Sequence, residues 1–266
     1  MNNTIITTIG DEIGITLQEQ IRLCKKYHLK YLEMRKIENK LLCDFTDEEI
    51  QVIHNYLDKE GIKVLTVDTP IGKKQNAFQY AKNLELLHIY LRIARVLNAK
   101  YLRIFADIGL VENSMQARQL LTEFANHAEQ YNIKLLLENE KGTSAESAAQ
   151  CYELIQNIDN IYILFDVENA YTKGYDVIDD YLIARTKIAQ IHIRDCVCPY
   201  GKAVYIGQGT IPIKDLVEKI IYGGYEVALS METMLPKYHR DTLREELFGH
   251  SYECLINIIN LYKINL

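Results

Sequence analysis

The sequence contains no tryptophan, only four prolines and no excess of basic residues. Its 36 aspartate and glutamate residues outnumber its 30 lysine and arginine residues, which gives a formal net charge of -6. A nucleic-acid partner would require a basic surface to meet its phosphates, so we expect no nucleic-acid ligand. No apolar window of about 20 residues is present, and we therefore expect no membrane-spanning segment.

The N-terminal segment MNNTIITTIG lacks the basic and long apolar regions of a signal peptide, so we expect a cytoplasmic protein. The six cysteines are scattered along the chain, which is typical of reduced thiols in such a compartment. Cys196 and Cys198 are close enough in sequence to bind a soft metal. Two unligated thiols are the commoner outcome, and we predict neither a disulfide nor a zinc site there.

Short β-branched runs alternate with amphipathic helical stretches along the whole chain. Eight such pairs can be counted, and their strands lack the polar alternation of half-exposed strands. With no proline-rich linker or composition break, this pattern predicts one domain over residues 1–266, a (β/α)8 TIM barrel. The alternative is an open doubly wound sheet. It is disfavoured because the segment after the first strand, IGDEIG, is not a Gly-rich phosphate loop.

The predicted strands are Thr4–Thr8, Tyr31–Met34, Ile62–Val67, Tyr101–Phe105, Lys134–Leu137, Ile161–Phe165, Gln190–Ile193 and Glu226–Met231. Capping boxes predict helix starts at Thr16, Thr46 and Thr143, with Gly61 ending the second of these helices. Further helices are predicted over Ala77–Leu97, Gln116–Tyr131, Val177–Arg185, Ile213–Ile221 behind Pro212, and Arg240–Leu261.

Polar residues occur at the ends of the last four predicted strands. They are Glu138, Asp166, His192 and Glu232, about one β/α unit apart. In a TIM barrel these ends meet at one mouth, where three carboxylates would repel one another unless a cation lay between them. Oxygen ligands with one imidazole suit Mn²⁺, Mg²⁺ or Co²⁺ and tolerate Zn²⁺. The pattern therefore predicts one divalent metal bound by these four residues.

The runs LLLENE, ILFDVENA, QIHIRD, GQGTI and LSMET, together with YLEMR at the second strand, resemble the sugar-phosphate isomerase/epimerase family, the xylose-isomerase-like TIM barrels. The resemblance implies the same four metal ligands and a small sugar or sugar-phosphate substrate. It also implies that Glu138 and Glu232 flank the substrate and exchange its proton. Assembly into a homo-oligomer is left open.

Two positions depart from the family pattern. Many members have a histidine where this chain has Glu140, and another where it has Asn169. An asparagine can hydrogen-bond a hydroxyl but cannot shuttle a proton. Arg194 and Asp195 stand where the family often has Lys-Asp, and Gly207-Gln208-Gly209 matches its Gly-x-Gly loop.

Other polar residues lie at or near strand ends, where each could bind a sugar hydroxyl or form an ordinary ion pair. Arg35 and Asp68 are of this kind, and we expect an ordinary structural role for Asp68. The residues predicted to contact substrate are Glu33, Arg103, Asn139, Asn169 and Arg194.

The leading hypothesis is a metal-dependent isomerase or epimerase of a small ketose, sugar acid or sugar phosphate, acting by proton transfer through a metal-stabilised enediolate. The same ligands also serve dehydratases of the inosose or dehydroshikimate type, and the sequence does not separate the two. A non-catalytic sugar-binding barrel is a third hypothesis. Endonuclease IV shares the barrel but uses three zinc ions and many histidines, which this chain does not offer.

Overall fold

A computed structural model describes residues 4–73, 76–198, 201–235 and 243–263 of the chain. Its strands, in chain order, are β1 (Ile5–Thr8), β2 (Tyr31–Met34), β3 (Lys36–Ile37), β4 (Lys40–Leu41), β5 (Lys63–Asp68), β6 (Tyr101–Ile104), β7 (Lys134–Glu138), β8 (Ile161–Asp166), β9 (Ile188–Ile193), β10 (Asp195–Val197), β11 (Lys202–Val204) and β12 (Ala228–Met231).

The helices are α1 (Gly10–Ile13), α2 (Leu17–Lys26), α3 (Asp47–Glu60), α4 (Tyr80–Val96), α5 (Ser114–Glu129), α6 (Ala148–Ile155), α7 (Val167–Thr172), α8 (Val177–Ala184), α9 (Ile213–Gly223) and α10 (Arg244–Lys263), with a short 3-10 turn at Leu42–Asp44. Within these described ranges, no helix is both long and apolar enough to cross a membrane.

Eight parallel strands form the barrel, in the order β1-β12-β9-β8-β7-β6-β5-β2. The ring closes between β1 and β2, where Ile9 bridges Glu33 and the Thr7 hydroxyl donates to the Tyr31 carbonyl at 3.0 Å. Strands such as β6 and β9 are buried along their whole length, since helices cover their outer faces. The predicted TIM barrel is confirmed.

Local capping chemistry sets several helix ends. The Thr16 and Thr46 capping boxes both form, and Gly61 ends α3 in the left-handed conformation at φ 72°. These starts match the sequence prediction. The helix predicted over Ala77–Leu97 begins later, at Tyr80, and part of the one predicted over Arg240–Leu261 lies outside the described residues.

The capping box predicted at Thr143 is wrong. The Thr143 hydroxyl instead donates to the Glu140 carbonyl within a turn, and α6 begins after Ser147, whose side chain accepts from the Gln150 backbone N–H. Pro212 is the N-cap of α9 and not its first residue. The hairpins β3–β4 and β10–β11 and the helices α1 and α7 have no counterpart in the sequence prediction, because each is too short to show a periodicity.

Candidate metal centre

The last four barrel strands bring the predicted ligands to one end of the barrel. Glu138 and Asp166 end β7 and β8, His192 lies near the end of β9, and Glu232 follows β12. The register places Asp166 opposite His192 on the neighbouring strand. All four residues are buried, and one ligand atom from each lies within 4.8 Å of the others.

The Nδ1 atom of His192 faces the three carboxylates. It lies 3.3 Å from Glu138 Oε1, 3.3 Å from Glu232 Oε2 and 3.9 Å from Asp166 Oδ2. Among the described residues it has no hydrogen-bond partner, although it is fully buried. Buried polar atoms are rarely left without a partner. An unpartnered imidazole nitrogen surrounded by three carboxylates is the donor set of a divalent cation, so these residues fit one.

The other imidazole nitrogen is held by Glu33. His192 Nε2 lies 2.9 Å from Glu33 Oε1, and neither side chain is exposed by more than 1%. The sequence predicts Glu33 as a substrate contact. In the structure Glu33 is fully buried against the imidazole and is not among the residues that line the cavity.

Each of the three carboxylates is paired with an arginine. Arg194 contacts Asp166 through two bonds, Nη2 to Oδ2 at 2.6 Å and Nε to Oδ1 at 3.1 Å. Arg103 Nη1 lies 3.2 Å from Glu138 Oε2, and Arg35 Nη1 lies 2.9 Å from Glu232 Oε1. Both glutamates thus have one oxygen near His192 and the other on an arginine.

These contacts shift the ionisation of the site. Burial alone would raise the pKa of Glu232, but Arg194, His192 and Arg35 together hold it well below its usual range. Burial would raise the pKa of Asp166 as well, but Arg194 and His192 together lower it. Burial would lower the pKa of His192, but Glu33 and the ligand carboxylates raise it well above its ordinary value. Burial raises the pKa of Asp68 to about 7 in spite of its ion pair with Arg103.

A cavity of about 470 Å³ opens above the four candidate metal ligands, and its volume suits a small molecule. Its charged lining comprises Arg35, Lys73, Arg103, Lys141, Arg194, Glu138, Glu140, Asp166, Glu168, Asp195 and Glu232. The sequence prediction missed Lys73, Lys141 and Glu168. None of these three ends a barrel strand, and we found no signal in the sequence that separates them from surface charges.

Of the predicted substrate contacts, Arg103, Asn169 and Arg194 line the cavity. Asn139 is not among the lining residues. Its side chain is fully buried, with Nδ2 donating to the Asp166 carbonyl at 2.9 Å and Oδ1 accepting from the Asp166 N–H at 2.8 Å. Asn139 therefore fixes the end of β8 relative to β7 and so positions Asp166. Both polar atoms of its amide are occupied by these bonds.

The Gly-x-Gly loop has a structural explanation. Asp195 Oδ2 accepts from the backbone N–H groups of Gly207 and Gly209, each at 2.9 Å. A side chain at Gly209 would collide with Asp195 and the Cys196 carbonyl, and Gly207 has φ 80°. The loop is thereby tied to the residues that follow β9, beside the cavity.

The barrel, the cluster of three carboxylates and His192 at its carboxyl-terminal mouth and the cavity above them define a class of TIM-barrel protein. The description xylose isomerase-like TIM barrel matches residues 21–257, and the chain belongs to this family. An inosose isomerase of Halalkalibacterium halodurans is 21% identical over 247 residues, which is 87% of each chain.

Two solved structures share the fold over nearly the whole chain. The crystal structure of the IOLI protein with a binding zinc atom has a TM-score of 0.81 and 21% identity, and the match covers 97% of this chain and 99% of that one. The structure of an L-ribulose 3-epimerase has a TM-score of 0.80 and 16% identity, with 98% and 96% covered.

Proposed function

We propose that this chain is a divalent-metal-dependent isomerase or epimerase of a small ketose, sugar acid or sugar phosphate. One observation carries the proposal: three carboxylates and the unpartnered Nδ1 of His192 converge within 4.8 Å at the floor of a ligand-sized cavity. The family and the names of the similar proteins support a sugar substrate and an isomerase or epimerase activity.

Glu138, Asp166, His192 and Glu232 are the residues that would hold the cation. When bound, it would supply a Lewis acid for the negative charge that develops on a substrate carbonyl oxygen. The similar structure of the IOLI protein contains a zinc atom, which supports a divalent ion as the cofactor. We propose Mn²⁺, Mg²⁺, Co²⁺ or Zn²⁺, because the three carboxylates and one imidazole suit any of these.

Glu138 and Glu232 are proposed as the acid/base pair. One carboxylate removes the proton from the carbon beside the carbonyl, and the C–H electrons move towards the carbonyl oxygen. For an epimerase, the other carboxylate returns a proton to the opposite face of the same carbon. For an aldose–ketose isomerase, the proton returns to the former carbonyl carbon, and the hydroxyl hydrogen of the first carbon moves to the former carbonyl oxygen. Arg35, on the outer oxygen of Glu232, is one of the groups that hold the pKa of Glu232 well below its usual range, so this base stays ionised near neutral pH.

The charges around the cavity favour an uncharged sugar over a sugar phosphate ester as the substrate. Each cationic side chain among the described lining residues has a carboxylate oxygen within 2.9 Å. A phosphate would have to compete with these carboxylates for its partners. Alternating donors and acceptors, such as Lys73 with Glu140 at 2.7 Å, suit hydroxyl groups, which both donate and accept.

The test is a substrate screen in D₂O with metal-loaded protein, covering ketohexoses, ketopentoses, inososes and their phosphates. Proton transfer at carbon should introduce solvent deuterium into recovered substrate and product. Glu138→Gln and Glu232→Gln should each lower turnover by about 10²–10⁴-fold while metal remains bound. Glu48→Gln, at an exposed glutamate of α3, is the matched control and should leave turnover unchanged.

Near-wild-type turnover in both site variants with metal bound would exclude the two-carboxylate mechanism. Loss of water from the substrate in place of deuterium exchange would assign the same residues to the dehydratase hypothesis. Saturable binding of a sugar without either reaction would support the non-catalytic hypothesis.

A further inference from the structure

We infer that Glu33 is a positioning residue that fixes the tautomer and the ring orientation of His192 and thereby determines metal affinity. Glu33 lies on β2 and His192 on β9, two strands that are not neighbours in the ring. Their contact, Oε1 to Nε2 at 2.9 Å, therefore crosses the barrel interior. The inference rests on the proposed metal site and concerns a residue beneath it.

Glu33 is itself held on its other oxygen. Oε2 accepts from Gln190 Nε2 at 2.6 Å and from the Ser230 hydroxyl. The Thr66 hydroxyl donates to Gln190 Oε1 at 2.6 Å, so the Gln190 amide must direct its NH₂ group towards Glu33. Thr66, Gln190, Ser230 and Glu33 all have 0% exposure. In this network only one orientation of the Glu33 carboxylate accepts a hydrogen bond from each of these donors.

The arrangement dictates where the imidazole proton lies. Because Glu33 Oε1 is a carboxylate oxygen, it can only accept, and His192 Nε2 must carry the hydrogen. The lone pair of the neutral ring is then on Nδ1, the atom that faces Glu138 and Glu232. A hydrogen on Nδ1 would stand where a cation has to bind. A carboxylate that accepts from the distal nitrogen of a ligating histidine also strengthens that ligand.

The Glu33→Gln variant makes this role measurable. The glutamine NH₂ group has to face either the Gln190 NH₂ group or His192 Nε2. The first choice opposes two donors, and the second forces the hydrogen of His192 onto Nδ1. Either outcome should weaken Mn²⁺ or Zn²⁺ binding by about 10–100-fold in isothermal titration calorimetry. Ser230→Ala removes one hydrogen-bond donor to Glu33 and should lower metal affinity by a smaller factor. It replaces Glu33→Gln in the test if that variant does not fold.

The matched control is Asp180→Asn. Asp180 is a buried carboxylate that accepts from the Ala148 and Ala149 N–H groups at 2.8 Å and is not among the residues that line the cavity. The Asp180→Asn variant should have a lower free energy of unfolding and unchanged metal affinity. A second readout is the ring ¹⁵N spectrum of histidine-labelled, Zn²⁺-loaded protein, in which wild-type His192 should carry its hydrogen on Nε2. The ¹⁵N chemical shift of His192 Nε2 should change in Glu33→Gln and stay the same in Asp180→Asn.

Wild-type affinity together with an unchanged His192 spectrum in folded Glu33→Gln would overturn the inference and leave the metal site in place. If Glu33→Gln does not fold, wild-type metal affinity in Ser230→Ala would overturn the inference as well. Failure of the wild type to bind Mn²⁺ or Zn²⁺ would instead overturn the proposed metal site, and the inference with it.

Discussion

The Nη1 atom of Arg35 lies 2.9 Å from Oε1 of Glu232, although 197 residues separate them in the chain. Arg35 is held in turn by Asp11, through Nε to Oδ1 at 3.0 Å, and by Glu12, through Nη2 at 3.2 Å. The outer oxygen of a proposed acid/base group is thus fixed by a guanidinium that other carboxylates hold in place.

Replacement of Arg35 by methionine should shift the pH dependence of turnover. Arg35 is one of the groups that hold the pKa of Glu232 well below its usual range. Without it the carboxyl takes up its proton at a higher pH, so the acidic limb of kcat/KM should move to higher pH. Arg22→Met, which removes an exposed arginine paired with Glu245, should leave the profile unchanged. An unshifted acidic limb in Arg35→Met would exclude Glu232 as the titrating base.

Replacement of His192 by alanine should weaken metal binding and leave the barrel folded. The change removes the Nδ1 ligand and also leaves the buried Glu33 without the partner on its Oε1, so the melting temperature should fall. Calorimetric titration with Mn²⁺ and thermal denaturation measure the two effects. His54→Ala, at a half-buried histidine of α3, should retain wild-type affinity. Unchanged metal affinity in His192→Ala would show that the imidazole is not a metal ligand.

Asn169 should influence substrate affinity more than turnover. Its Nδ2 donates to the Asn139 carbonyl at 3.1 Å and its Oδ1 accepts from Arg194 at 3.0 Å, so it orients a cationic group of the cavity and carries no titratable proton. Asn169→Ala should therefore raise KM several-fold while kcat stays within a few-fold of wild type. Steady-state kinetics on the active ketose tests this. A large loss of kcat at unchanged KM would instead place Asn169 in the chemical step.

Cys196 and Cys198 should remain reduced and free of metal. Their Sγ atoms lie 4.0 Å apart, and burial raises the pKa of the Cys196 thiol to about 12, which keeps it protonated and a poor ligand. Thiol titration under denaturing conditions without reductant should count six cysteines, the number in the sequence. Sulfur ligands in the zinc absorption-edge spectrum of the loaded protein would contradict the prediction.

The barrel and the clustering of Glu138, Asp166, His192 and Glu232 could be predicted from the sequence because both depend on local pattern. Each strand is an apolar run, and Glu138 and Asp166 are the residues at which such runs end. Parallel strands in a ring bring those ends to one mouth, whatever the details of packing.

The partners of the ligands could not be predicted, because they depend on how the ring closes. Glu33 meets His192 across 159 residues of sequence, and its role as an imidazole partner cannot be told from that of a substrate contact at a strand end. Asn139 and Asn169 both follow ligands, but only the turn of α7, capped by the Asp166 side chain, directs Asn169 towards the cavity.

Metal content of the purified protein tests the central claim most directly. Elemental analysis after loading with Mn²⁺ or Zn²⁺ and removal of excess ion, combined with an anomalous difference map, should find about one divalent ion per chain among Glu138, Asp166, His192 and Glu232. These four residues fit a cation because their ligand atoms lie within 4.8 Å of one another and Nδ1 of His192 has no other partner in the described structure. A barrel mouth without anomalous density after soaking with both ions would contradict the account.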